Sequence, residues 1–310
     1  MQYIALILTL LMTLNFCSSA ITSQGGDNSS VENDKEEIAH TSKEFEEEVY
    51  YNDESVDVAK LESVLKKAKG VKGTNERIIA ITQEFIGTPY VGGTLNIPPK
   101  EQLYVNTNGL DCATFVETVL ALTMASGREN PSVADFLRNI RTLRYRNGEI
   151  NGFPSRLHYT SEWAMDNERR GNFKEITPDY ELSEKRVKTI DFMTKNRHLY
   201  PAMADDDEFQ AIKENEKALK NMHFSIIPTS KVDVAAKKFL RSGDVVGIVT
   251  NKAGLDLSHV GFINIKNGIP YLIHASSKYK KVVNDTIPLK TYLQKQGSPG
   301  IRVFRLSGEN

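Results

Sequence analysis

Apolar positions along the chain change their spacing twice, and each change marks a different kind of element. In "NERIIAITQEFIGTPY" the residues Ile78, Ile79, Ile81, Phe85 and Ile86 follow helical spacing, which predicts a helix that "GTPY" stops. "YVGGTLN" then reads as a glycine-rich loop. A second helix is expected from residue 112, with Phe115, Val116, Val119, Leu120 and Leu122 on its apolar side and Asp111 as a carboxylate N-cap. From about 128 to 240 the chain is polar with short apolar runs and reads as mainly helical. Beyond it the spacing shortens. "DVVGIVT", "HVGFINI", "IPYLIHAS" and "GIRVFRL" are short β-branched runs separated by "NKAG", "KNG" and "GSPG". Helices followed by an antiparallel sheet predict an α+β domain.

The amino-terminal end has a different character. "MQYIALILTLLMTLNFCSSA" is an uncharged apolar run ending in small residues, so residues 1–20 read as an export signal cleaved after "SSA". In a second route Cys17 is acylated as the first mature residue and anchors the chain to a membrane, although Phe16 stands where a small residue is expected. Residues 21–57 read as an acidic, disordered leader: from Asp27 to Asp57 there are 12 acidic residues against two lysines. Residues 58–310 then read as a single domain with an insertion at about 128–240. Beyond Asp57 there are 37 basic and 28 acidic residues. The whole-chain charge of −1 therefore hides a basic body suited to an anionic partner. No nucleic-acid-binding signature accompanies it.

Only two cysteines occur, Cys17 and Cys112. Cys17 is removed or acylated under the two routes, so Cys112 has no disulfide partner, and a leftover thiol in an exported protein suggests a reactive group. A cysteine in the first helical turn faces unpaired backbone N–H groups and the positive end of the dipole, which favour thiolate. The same groups can stabilise an oxyanion. Six histidines are candidates for its base. His259 in "DLSHVGFI" and His274 in "YLIHASS" sit in strands that a "KNG" hairpin lays side by side. Cysteine, base and orienting residue make a three-part relay.

"GTPYVGG", "LDCATFVE", "LSHVGFI" and "IHASS", in that order, resemble the NlpC/P60 superfamily of papain-like cell-wall cysteine hydrolases. The nearest likeness is to its N-acetylmuramoyl-L-alanine amidase-like branch, marked by Asp-Cys-x-Thr-Phe-Val-Glu. "RYRNG", "SRLHYTSEW" and "GDVVGIVTNKAGLDLSHVG" add to the likeness, which covers about residues 70–308. The resemblance implies a papain-like α+β core whose nucleophile helix packs on an antiparallel sheet. It implies Cys112 as nucleophile, His259 as base, His274 as orienting residue and Tyr90 near the oxyanion. It also implies an amide-cleaving activity on peptidoglycan fragments (muropeptides), with no cofactor and no metal.

Substrate contacts are expected from Asp111, from Ser258 and Ser276 beside the histidines, and from the insertion. There Arg156, His158, Tyr159 and Trp163 combine a carboxylate-binding guanidinium with rings on which sugars stack. Two other functions remain compatible with the same residues. One is a γ-D-glutamyl-diamino acid endopeptidase using the same triad; the other is a noncatalytic peptidoglycan-binding protein. The expected setting is the periplasm or cell envelope, as a monomer.

Overall fold

The computed structural model describes residues 49–97 and 100–308. The segments expected to be an export signal and an acidic leader lie outside the described residues up to residue 48, Cys17 among them. Ordered structure begins earlier than Val58. Strand β1 (Val49–Tyr51) pairs in parallel with β2 (Leu103–Val105), and helix α1 (Glu54–Ala68) follows at once. Asp57, counted above with the acidic leader, is 0% exposed and accepts hydrogen bonds from Thr107 N and Oγ1, both at 2.7 Å. The last nine residues of that tract are therefore part of the folded body. Charge counting misses this because a single buried carboxylate with three hydrogen bonds is indistinguishable in sequence from its solvated neighbours.

The centre of the fold is helix α3 (Cys112–Ser126), buried on nearly every side from Thr114 to Ser126. A helix that is apolar all round must be enclosed. Helices α1, α2 (Thr74–Glu84) and α4 (Val133–Arg144) pack on it from one direction and the main sheet from the other. Phe115 of α3 meets Phe85 and Phe262 edge to face, at centroid distances of 6.4 and 5.7 Å. Burying each such ring contributes roughly 1.5–3 kcal/mol.

The main sheet runs β4 (Glu184–Lys188), β5 (Met222–Pro228), β10 (Gly300–Leu306), β6 (Val245–Val249), β7 (Leu257–Lys266), β8 (Ile269–Ser276) and β9 (Lys281–Pro288), with β3 (Phe173–Glu175) also paired to β10. All these pairings are antiparallel. Strand β6 is buried throughout because both faces are covered: Val245 and Val249 join the core under α3, while Val246 and Ile248 join a second core on the opposite face. The mixed α+β architecture thus agrees with the sequence. Residues 128–240 differ from expectation, since besides helices they supply β3, β4 and β5. Strand β4 is a solvated edge with no buried residue, so it carries no apolar alternation to read.

Candidate active site

Asp111 sits at the N-cap of α3 and makes a reciprocal capping box: its carboxylate accepts from Thr114 N, and Thr114 Oγ1 accepts from Asp111 N, both at 2.9 Å. Such caps contribute about 1 kcal/mol and fix where the helix begins. Cys112 is therefore held as the first helical residue. Backbone amides of Val260, Ala113 and Cys112 itself reach its sulfur and favour the anion, but burial and the adjacent Asp111 carboxylate outweigh them and push the thiol up to about 12. The helix-start amides expected to favour a thiolate are thus in place, and desolvation together with the Asp111 carboxylate opposes them.

The two histidines come together as the sequence predicts. The hairpin between β7 and β8 closes at Asn267 and Gly268, both with positive φ (51° and 76°), pairing Lys266 with Ile269. His259 Nε2 and His274 Nδ1 then lie 2.6 Å apart, with the rings nearly perpendicular. Gly261 makes this approach possible, because a Cβ there would stand 3.0 Å from His274 Cβ and 2.7 Å from Ile273 O. A bulge adds to it. Val249 pairs with Leu257 and Ile248 with His259, so Ser258 is the extra residue that turns His259 on its strand. Burial pushes His259 down to about 3, helped by His274, and burial alone pushes His274 down to about 4. Both imidazoles are neutral in the resting site.

Two residues that the sequence did not single out complete this cluster. Asp285 of β9 is buried, with Oδ2 3.7 Å from His274 Nε2. That nitrogen is buried and has no hydrogen-bond partner. The β8–β9 register shifts between Tyr271 and Ile273, and Asp285 lies in the irregular stretch. Tyr292 has its ring centroid 6.5 Å from His259 and 5.6 Å from His274. Burial, Asp285 and the Cys112 sulfur push its phenol up to about 12. Tyr292 therefore shares surroundings with Cys112 and with both histidines. Tyr90 is also near Cys112: a bridge to Leu110 holds it, and its phenol is raised by burial, Cys112 and Asp111. Ser258, Ser276, the two histidines, Asp285 and Tyr292 line a cavity of about 220 Å³, with Lys278 and Lys295 also on its wall.

The residues expected from the insertion divide. His158 and Trp163 line a second cavity, of about 60 Å³, together with Ala113 and Val260 next to Cys112. Tyr159 and Arg156 are committed elsewhere. Tyr159 is buried, donating to Glu216 Oε1 and accepting from Met193 N, both at 2.7 Å. Arg156 is 6% exposed and donates to Leu95 O and Asn96 Oδ1 at 2.8 Å, with Glu101 at 3.5 Å. Its guanidinium fastens the loop after "YVGG" instead of waiting for a substrate carboxylate. This overturns the expectation of a free arginine in the cleft.

Similarity to known proteins agrees with this geometry. Residues 80–301 match the family described as AmiA-like, N-acetylmuramoyl-L-alanine amidase-like. An N-acetylmuramoyl-L-alanine amidase from Bacteroides uniformis ATCC 8492 is 30% identical, with a TM-score of 0.72 over 76% of this chain and 100% of that one. A Bacteroides fragilis protein, given as a candidate xylanase, is 33% identical with a TM-score of 0.69 over 73% and 99% of the two chains. A Legionella pneumophila protein at 23% identity shares the fold, with a TM-score of 0.65 over 83% and 96%. No curated protein matches. The chain belongs to the N-acetylmuramoyl-L-alanine amidase-like family.

Proposed function

We propose that this protein is a cysteine-dependent amidase with an NlpC/P60-type, papain-like centre. In this reading it cleaves the bond between the lactyl group of N-acetylmuramic acid and L-alanine in peptidoglycan fragments. The observation that carries the reading is the 2.6 Å His259–His274 hydrogen bond, set beside a capped, amide-surrounded Cys112 in a chain of this family.

The proton inventory fixes the order of events. Asp285 beside His274 Nε2 favours the tautomer with its proton there. His274 Nδ1 then accepts from His259 Nε2–H, which leaves His259 Nδ1 as the unprotonated base. Because burial holds Cys112 as a thiol, its proton passes to His259 as the sulfur attacks the lactyl carbonyl. Backbone N–H groups at the start of α3 stabilise the oxyanion, with the protonated Tyr90 phenol as a further donor. The C–N bond breaks, and His259 returns the proton to the departing L-alanine nitrogen. Water, deprotonated by His259, hydrolyses the thioester and restores the thiol.

Glycoside hydrolysis, suggested by the name of the B. fragilis relative, uses two carboxylates flanking the scissile bond. Here Asp111 is spent on the helix cap and Asp285 is buried behind His274, so amide chemistry fits the residues better. The endopeptidase alternative uses the same relay on a different bond and is separated from the amidase by product analysis. The export signal and basic body fit action in the periplasm or cell envelope on soluble muropeptides during turnover. The mechanism is tested by acid-quenching a single turnover and weighing the protein. A muramoyl thioester on Cys112 is expected in the native chain and no turnover in Cys112→Ala; turnover in that variant would overturn the reading.

A further inference from the structure

The cavity of about 220 Å³ lies on the His259 side of the site. Its wall includes His259, His274 and Tyr292, and also Ile248, which belongs to the core on the sheet face opposite α3. Cys112, at the start of α3, is not on that wall. The two are close all the same, because the Cys112 sulfur helps to raise the Tyr292 phenol. A water molecule occupies about 30 Å³ of liquid, so the cavity has room for about seven heavy atoms, enough for a carboxylate on its carbon.

The rim of this cavity is positive. Lys278 and Lys295 stand on the wall, both exposed, and neither has an ion-pair partner among the described residues. Lys278 sits in the turn between β8 and β9, which also carries Lys280. That turn is fastened to the loop bearing Tyr90: Tyr90 N donates to Lys280 O at 2.9 Å, and Pro89 bridges Lys281. Lys295 ends the short helix Leu289–Lys295, whose Tyr292 ring lies near both histidines. The carboxylate on this wall, Asp285, is buried beside His274, accepts from Ile287 N at 3.0 Å and pairs with neither lysine. Two ammonium groups with no anion of their own, on the rim of a polar cavity, suit a carboxylate ligand.

The reaction decides which part of a substrate brings that carboxylate. In the amidase reading His259 hands its proton to the departing L-alanine nitrogen. The leaving peptide is then on the His259 side and the muramoyl group on the Cys112 side. The residue after L-alanine is D-Glu, and a stem that continues through its γ-carboxyl leaves its α-carboxylate free. Resting on that reading, we propose that Lys278 and Lys295 bind the α-carboxylate of D-Glu in the leaving peptide. The cavity then acts as a specificity site that selects acidic stems over stems amidated at that position.

The test compares muramoyl-L-Ala-γ-D-Glu-L-Lys with the same compound carrying D-isoGln, its α-amide, so that the two differ by one charge at nearly equal size. The native chain is expected to prefer the acid by at least about fivefold in kcat/KM, and the double variant Lys278→Gln/Lys295→Gln to bring that ratio near one. Both lysines are exposed, so the double variant is expected to keep the native melting temperature. Binding supplies an independent arm. Calorimetry on the Cys112→Ala protein should show the same preference in Kd, and adding the two lysine substitutions should abolish it. A ratio near one in the native chain, or a ratio unchanged in the folded double variant, would overturn the site and leave the amidase reading standing. Failure of the native chain to cleave either muramoyl amide would overturn that reading, and this assignment with it.

Discussion

His274 stands between two partners: its Nδ1 is 2.6 Å from His259 Nε2, and its Nε2 is 3.7 Å from Asp285 Oδ2, with the His274 and Asp285 side chains each 2% exposed. A neutral imidazole carries one N–H, so the position of that proton on His274 decides which nitrogen of His259 is basic. Asp285→Asn removes the charge that draws the proton to Nε2. It is expected to lower kcat by about tenfold or more, equivalent to roughly 1.4 kcal/mol, with a smaller change in KM. Nitrogen NMR of the two imidazoles checks the cause. A variant with slow turnover but native tautomers would show that Asp285 acts otherwise.

Acid should destabilise the fold through one buried histidine, His274, and two half-buried ones, His158 and His259. His158, His259 and His274 are held at about 3, 3 and 4, below the unfolded value of about 6.5. Above that value both states are neutral and nothing is gained or lost. As pH falls below it, the unfolded chain binds protons the native chain refuses, so stability is lost until the folded values are reached. Each group contributes a slope of at most about 1.4 kcal/mol per pH unit. Urea unfolding between pH 7.5 and 4.5 should show the decline, and His158→Gln, which keeps a donor for Phe153 O, should flatten it. An identical slope in that variant would contradict the assignment.

Arg156→Ala should act on stability before activity. It strands Leu95 O, Asn96 Oδ1 and the buried Glu101, a type of loss that costs about 3 kcal/mol. Chemical denaturation measures this, and a change below about 0.5 kcal/mol would return Arg156 to the role of a free ligand-binding side chain.

A chain beginning at Val58 should be much less stable than one beginning at Val49. The shorter chain loses β1 and the Asp57 carboxylate that holds Thr107, five residues before Cys112. Asp57→Ala tests the second part alone and should cost about 1–3 kcal/mol. Equal melting temperatures for the two chains would show that these elements are not needed.

Much of the centre was legible because its signals are local. An apolar helix after Gly-Leu-Asp fixes Cys112, and β-branched runs around Lys-Asn-Gly fix the strands and bring His259 and His274 onto neighbouring positions. What was missed depends on irregular pairing or on partners distant in sequence. Asp285 belongs to a strand, "KVVNDTIP", whose pattern is broken by polar residues, and the shifted register that places it near His274 has no sequence signature. Arg156 looked free because Leu95, Asn96 and Glu101 lie about 55 to 61 residues away. The surroundings of the thiol are legible only in part, because the helix-start amides follow from local sequence whereas the desolvation that opposes them comes from the fold.

The most direct test is to digest defined muropeptides and identify the new ends by mass spectrometry. Amidase action predicts peptides beginning with L-alanine and a sugar carrying a free lactyl carboxylate. A new amino terminus at the diamino acid, with L-Ala-D-Glu still on the sugar, would contradict the account and establish an endopeptidase instead.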